Sequence, residues 1–177
     1  MRASLRKALL MNFSVSIADE ADAPSLAALQ SAVADDLTRR NGHGVWSSHV
    51  TEKGILFGLR HSRVLIARRG RKIVGKLQLQ NKKPWAIDIS YFTPVSKSVY
   101  LIGMAVLPGL QHKGIGRRLL EAAAQEARDW PAEAIRLDAF DAEAGAGGFY
   151  VKCGFRECGR RIYRKTPLVY FEMILGA

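Results

Sequence analysis

From Val99 to Leu107 the chain reads Val-Tyr-Leu-Ile-Gly-Met-Ala-Val-Leu, nine residues without a charge, closed by Pro108. That run predicts a strand. Four further stretches read as strands, Phe13–Ile17, Arg63–Arg68, Lys72–Gln80 and Ala134–Phe140, the first and last alternating apolar and polar residues as half-buried strands do. The second and third predict a hairpin through Arg69-Gly70-Arg71, and Trp85–Tyr91 is expected to extend its sheet after a Lys82-Lys83-Pro84 turn. Leu26, Leu29, Val33 and Leu37 have helical spacing and predict a helix from about Pro24 to Arg40, capped by Asp22 or Ser25 and ended by Asn41-Gly42. Residues 43–62 read as a second, less regular helix with Val50, Ile55, Leu56 and Leu59 inward. Arg117–Trp130 is amphipathic and is stopped by Pro131. Strand, helix and strand in that order imply a parallel pair with a right-handed crossover. A short helix follows with Phe149, Tyr150 and Cys153, and a hairpin of Phe155–Arg160 and Leu168–Leu175 ends the pattern. With no internal repeat and no linker, the fold class is α/β, one mixed sheet with helices.

The join between the apolar strand and the amphipathic helix carries the chemistry. It reads Gln111-His-Lys-Gly-Ile-Gly116. A helix start presents N–H groups without intrahelical partners and the positive end of the helix dipole, which suits a phosphate. Gly114 and Gly116 let backbone approach a bulky diphosphate. His112, Lys113, Arg117 and Arg118 add positive charge. A P-loop would end in Gly-Lys-Ser/Thr, which is missing here, and a dinucleotide fingerprint would need glycine at Leu119.

Gln-x-x-Gly-x-Gly after an apolar strand resembles the acetyl-CoA pyrophosphate loop of the GNAT N-acetyltransferases, and Gly148-Phe-Tyr-Val-Lys-Cys-Gly-Phe155 resembles that family's closing Phe-Tyr-x-x-x-Gly-Phe segment. The resemblance implies the GNAT acyl-CoA N-acyltransferase fold, a central mixed β-sheet flanked by helices, over a single domain at residues 12–177. It implies acetyl-CoA as cosubstrate, no metal, and direct attack of a primary amine, on a small molecule or peptide, at the thioester. The implied cofactor-binding positions are Met104, Ala105 and Val106 on the apolar strand, with Gln111, His112, Lys113, Gly114, Ile115, Gly116 and Arg117 in the loop. Tyr150 matches the family tyrosine that gives the leaving thiolate its proton. Two positions depart from the pattern. Glu143 stands where many members carry an asparagine seven residues before the tyrosine. The apolar strand lacks the carboxylate that serves some members as general base, which leaves Asp88, Asp138 or Glu143, acting through water. The irregular segment 41–46, with Trp46, reads either as part of an acceptor pocket or as an ordinary loop.

The chain of 177 residues suffices for one domain with a core. No stretch nears the roughly 18 apolar residues of a membrane span, so no membrane partner is expected. Residues 1–11 are basic and read as a flexible tail; a transit-like leader is the other reading, and Met11 offers a second start. Cys153 and Cys158 lack metal-site spacing and read as free thiols of a reducing, cytoplasmic compartment. The net charge of +11 raises nucleic acid as a partner. Its clusters, Arg60–Lys76 and Arg156–Lys165, accompany no nucleic-acid motif, so they read as solvated surface and no specific nucleic acid is expected. A silent acyl-CoA-binding sensor and a basic nucleic-acid-binding protein are the alternatives. The oligomeric state, homodimer included, stays open.

Overall fold

A computed structural model describes residues 13–143 and 145–176. The expected tail at residues 1–11 lies outside them. Seven strands pair in the order β1-β2-β3-β4-β5-β7-β6, a mixed sheet. The backbone divides into two compact units, one running to Gln78 and including Gly103–Ala122, the other formed by Leu79–Ile102 and the chain from Ala123.

In the first unit, β1 (Ser14–Ile17) pairs antiparallel with β2 (Arg63–Arg69), from Ser14↔Arg68 to Ile17↔Leu65. The expected caps of the first helix are corrected. A 3₁₀ turn, Glu20–Asp22, comes first and Asp19 caps it, accepting from Ala21 N at 2.9 Å. Asp22 instead accepts from Asp19 N at 3.2 Å and pairs with Arg68, so its carboxylate is engaged before α1 (Ala23–Asn41) begins. Gly42, at φ 78°, ends α1. The second helix is shorter than expected. α2 covers Glu52–His61 only, because Thr51 accepts from Gly54 N at 3.2 Å and sets the start there. Residues 43–51 are loop, closed by Trp46 Nε1 donating to Gly42 O at 3.1 Å. Leu26, Leu29, Ile55, Val64 and Ile66 form the core, with Val33, Val50, Leu56 and Leu59 packed against it. β2 turns through Gly70, at φ 59°, into β3 (Lys72–Gln80).

In the second unit, 85–91 forms no strand, which corrects the sheet extension. Tyr170 Oη donates to Ala86 O and accepts from Asp88 N at 3.3 Å, while Ile87 and Phe92 pack with Tyr100, Leu168 and Tyr170. The alternating apolar residues therefore anchor a loop to buried neighbours, and Trp85 is left 85% exposed. β4 (Ser98–Val106) runs parallel to β5 (Ala134–Phe140) from Ser98↔Ala134 to Tyr100↔Arg136. β5 pairs antiparallel with β7 (Thr166–Ile174), and β7 with β6 (Arg156–Tyr163). The β6–β7 turn places Arg164 and Lys165 at φ 46° and 69°, the twist a two-residue hairpin loop requires. α3 covers Ile115–Asp129, and α4 covers Gly147–Lys152.

Candidate active site

Gly103, at φ 56°, breaks regular geometry within β4 just ahead of Met104, Ala105 and Val106. Leu107 N donates to Val74 O at 2.8 Å, holding the strand end to β3. The chain then turns through Gly109 (φ 79°), His112 (φ 59°) and Gly114 (φ 83°) into α3. Arg118 N donates to Gly114 O at 3.1 Å, so the N–H groups of Ile115 and Gly116 precede the first helical bond. Open space surrounds the position a Cβ would take on Gly114, so its glycine answers to backbone conformation rather than crowding.

Side chains in this turn divide in two. Gln111 Nε2 donates to Val106 O at 3.3 Å and Lys113 Nζ to Gly109 O at 2.8 Å, so both brace the loop itself. His112 and Arg117 are exposed at the turn. Ile115 is buried, and a Cβ on Gly75 would come 2.9 Å from its side chain and 3.0 Å from Leu119. Gly75 thus permits the close seat of α3, and only the main chain of Ile115 faces outward chemistry.

Lys76 and Gln78 belong to no motif, and the sequence reading counted Lys76 in a basic surface cluster. That placement is corrected, since Lys76 is 1% exposed. Its ammonium donates to Gln78 Oε1 at 2.9 Å, Gln78 Nε2 donates to Ser62 Oγ at 3.1 Å, and Ser62 Oγ donates to Gly58 O at 2.6 Å. Burial lowers the Lys76 pKa to about 8. The available signal was a single charge inside Ile73-Val-Gly-Lys-Leu-Gln-Leu79, where a surface strand would alternate more often.

In the second unit, Tyr150 is 6% exposed and rings of Phe149, Phe155 and Phe171 surround it at centroid distances of 5.4, 5.6 and 5.8 Å. Burial, reinforced by the negative charge of Asp138 and by Cys153, raises its pKa well above that of ordinary phenol. Burial also raises the Asp138 carboxyl above its usual range, with a hydrogen bond from its own backbone opposing the shift. Asp88 is held the other way. Ser90 donates to its Oδ1 from both side chain and backbone, Arg161 sits 2.6 Å away, and together these outweigh its desolvation and lower its pKa. Glu143 lies exposed.

The second basic cluster is largely paired: Arg156 with Glu172, Arg160 with Asp141 and Glu157, and Arg161 with Asp88. Among the described residues no group of three or more His, Cys, Asp and Glu side chains is placed to hold a metal, and no helix is long and apolar enough to cross a membrane.

The profile of the acetyltransferase (GNAT) family matches residues 28–155. No curated protein matches the sequence. Among solved structures, the ribosomal-protein-alanine N-acetyltransferase of Brucella melitensis is similar at a TM-score of 0.70 and 24% identity, over 92% of this chain and 99% of that one. PaiA N-acetyltransferase of Thermoplasma acidophilum, in complex with coenzyme A, gives a TM-score of 0.71 at 15% identity, over 93% and 99%. YncA of Salmonella typhimurium, with its cofactor acetyl-CoA, gives 0.67 at 18% identity, over 94% and 95%. At these identities the structures speak for the fold.

Proposed function

Because the chain belongs to the GNAT acetyltransferase family, we propose that it moves the acetyl group of acetyl-CoA to a primary amine of a small molecule or peptide. The observation that carries this reading is the glycine turn at the start of α3, where Gly114 adopts φ 83° and main-chain N–H groups precede the first helical bond. Ile115 and Gly116 offer main-chain donors to a diphosphate, while His112 and Arg117 supply charge around it. Gln111 and Lys113 hold the turn in shape, and the main chain of Met104, Ala105 and Val106 serves the pantetheine arm.

Transfer requires an N–C bond to form as the C–S bond breaks; the ammonium loses one proton before attack, the attacking nitrogen loses a second as the amide forms, and that second proton replaces the one given to the thiolate. Tyr150 gives the thiolate its proton, and its raised pKa keeps the phenol protonated throughout the neutral range. Asp138 takes the ammonium proton through water, since a carboxyl above its usual range is the stronger base. The same reading takes residues 12–177 as one cytoplasmic acetyltransferase domain, with Cys153 and Cys158 outside any disulfide.

The test pairs calorimetric titration of acetyl-CoA with steady-state acetylation of amino acids, polyamines, aminoglycosides and peptide N-termini. Tyr150→Phe should lower kcat about 10²–10⁴-fold and leave acetyl-CoA affinity unchanged. Asp138 must be ionised to act, so kcat/KM should fall as pH drops through its raised pKa, and Asp138→Asn should remove that limb. Full activity in the Phe variant would take Tyr150 out of the mechanism, and acetyl-CoA binding without acetylation of any amine would make the chain a sensor.

A further inference from the structure

A cavity of about 130 Å3 in the first unit is not used by the chemistry above. Its lining is of two kinds, aliphatic from Leu26, Val50, Ile55 and Val64, and polar from Gln30, Lys76 and Gln78. Gln78 is engaged with Lys76 and Ser62, whereas Lys76 and Gln30 are short of partners. Among the described residues Gln78 Oε1 alone bonds the Lys76 ammonium, which has three donors. Gln30 Oε1 is buried and has no hydrogen-bond partner. A buried donor or acceptor left unmade is costly, so the lining calls for an acceptor at Lys76 and a donor at Gln30.

An α-amino carboxylate carries both on neighbouring atoms. A short branched side chain suits the aliphatic wall, and the volume is close to the roughly 150 Å3 of a cavity known to hold six carbon atoms. The polar lining also lies near the proposed acetyl segment. A Cβ on Gly103 would come 3.3 Å from Lys76 Nζ, and Gly103 immediately precedes Met104.

We propose that the acceptor is a small aliphatic α-amino acid, its carboxylate bound by Lys76 and one N–H of its amine by Gln30. A neutral amine donating one N–H to Gln30 keeps its lone pair for the acetyl carbon. The proposal rests on the acetyltransferase reading for its reaction, but the cavity binds a carboxylate with or without that reaction.

L-Valine and L-valinamide separate the two; they differ in the group facing Lys76 and in amine basicity, so kcat/KM is compared per neutral amine. Wild-type kcat/KM should favour valine about 10- to 100-fold, the scale of a hydrogen bond to a charged group. Lys76→Met, similar in volume, should erase that preference while acetyl-CoA affinity stays as in wild type. The preference should also fade above about pH 8, as Lys76 loses its charge. Equal use of valine and valinamide by the wild type, or a preference that survives in Lys76→Met, overturns the proposal.

A turnover-free measurement stands beside it. Saturation-transfer NMR should detect 3-methylbutanoate on the wild type and not on Lys76→Met. Gln30→Leu should weaken valine and spare 3-methylbutanoate, which has no donor for Gln30. Wild-type protein that binds acetyl-CoA but neither valine nor 3-methylbutanoate sinks the cavity assignment and leaves the acetyltransferase reading intact. Carboxylate binding without acetyl-CoA binding does the reverse.

Discussion

Among the described residues each compact unit buries one cation, and the two are treated differently. Arg136 donates to Glu172 Oε1 at 3.1 Å, to Ser98 Oγ at 3.1 Å and to Thr93 O at 2.5 Å, with its guanidinium 5.0 Å from the centroid of the Phe92 ring. Glu172 in turn accepts from Thr93 N at 3.2 Å and from Arg156 at 3.0 Å. Lys76 has one amide oxygen and a cavity. A charge with a counter-ion and three hydrogen bonds fastens β5, β7 and the loop before β4 together. A charge left short of partners costs the fold stability and keeps binding capacity in reserve, as functional sites often do.

The largest expected effect breaks the satisfied network. Glu172→Gln removes the carboxylate and leaves Arg136 buried without its counter-charge, which should cost about 3–5 kcal/mol in chemical denaturation. Burial alone would raise the Glu172 pKa, but the hydrogen bonds from Thr93, Arg136 and Arg156 outweigh it and hold it low. A lowered carboxylate contributes stability at neutral pH that is lost as pH falls through its folded value. Wild type should therefore lose stability in acid more steeply than Glu172→Gln. Parallel acid profiles for the two would mean that the network contributes nothing through Glu172.

Next in size is the opposite change at Lys76. A shift from 10.5 to about 8, at about 1.4 kcal/mol per unit, corresponds to about 3 kcal/mol of burial cost at neutral pH. Lys76→Met should raise stability by up to that amount. The folded protein releases the Lys76 proton near pH 8 and the unfolded chain near 10.5, so wild-type stability should rise across that window and close the gap to the variant. A variant less stable than wild type at pH 7 would place Lys76 among the structural charges, beside Arg136.

The smallest effect sharpens a second contrast, between main chain and side chain in ligand binding. Gly114→Val forces a branched residue to φ 83° and should weaken acetyl-CoA about tenfold in titration, through the roughly 1–2 kcal/mol cost of that conformation. Lys113→Ala should matter less, since Lys113 Nζ is engaged with Gly109 O. If Lys113→Ala weakens binding more than Gly114→Val, side-chain charge rather than loop shape governs the site.

These contrasts also explain what the sequence revealed. The turn at Gln111–Gly116 was legible as a turn because Gly114 adopts φ 83°, a backbone demand that selects glycine. The parallel β4–β5 pair and the hairpin at the chain's end followed from periodicity. The segment 85–91 was misread because its alternation satisfies Tyr170 and Tyr100, partners far along the chain that no local window contains. Lys76 was misread for the same reason. Its burial is set by α1 and α2 packing over β3, while the local signal was one charge among many. For Tyr150 the motif marks the position and itself supplies Phe149 and Phe155, while Phe171 and Asp138 come from β7 and β5.

The braced turn before α3 bears on rates as well as affinity. Gln111 and Lys113 tie the loop to Val106 and Gly109, so an arriving coenzyme meets a shape already made. Little ordering of the loop then stands between encounter and capture, and association should proceed at the pace set by orientation alone. Differences among loop variants should accordingly surface as residence time. A loosened brace, by contrast, would put that ordering step back before capture as well as let spent coenzyme leave sooner.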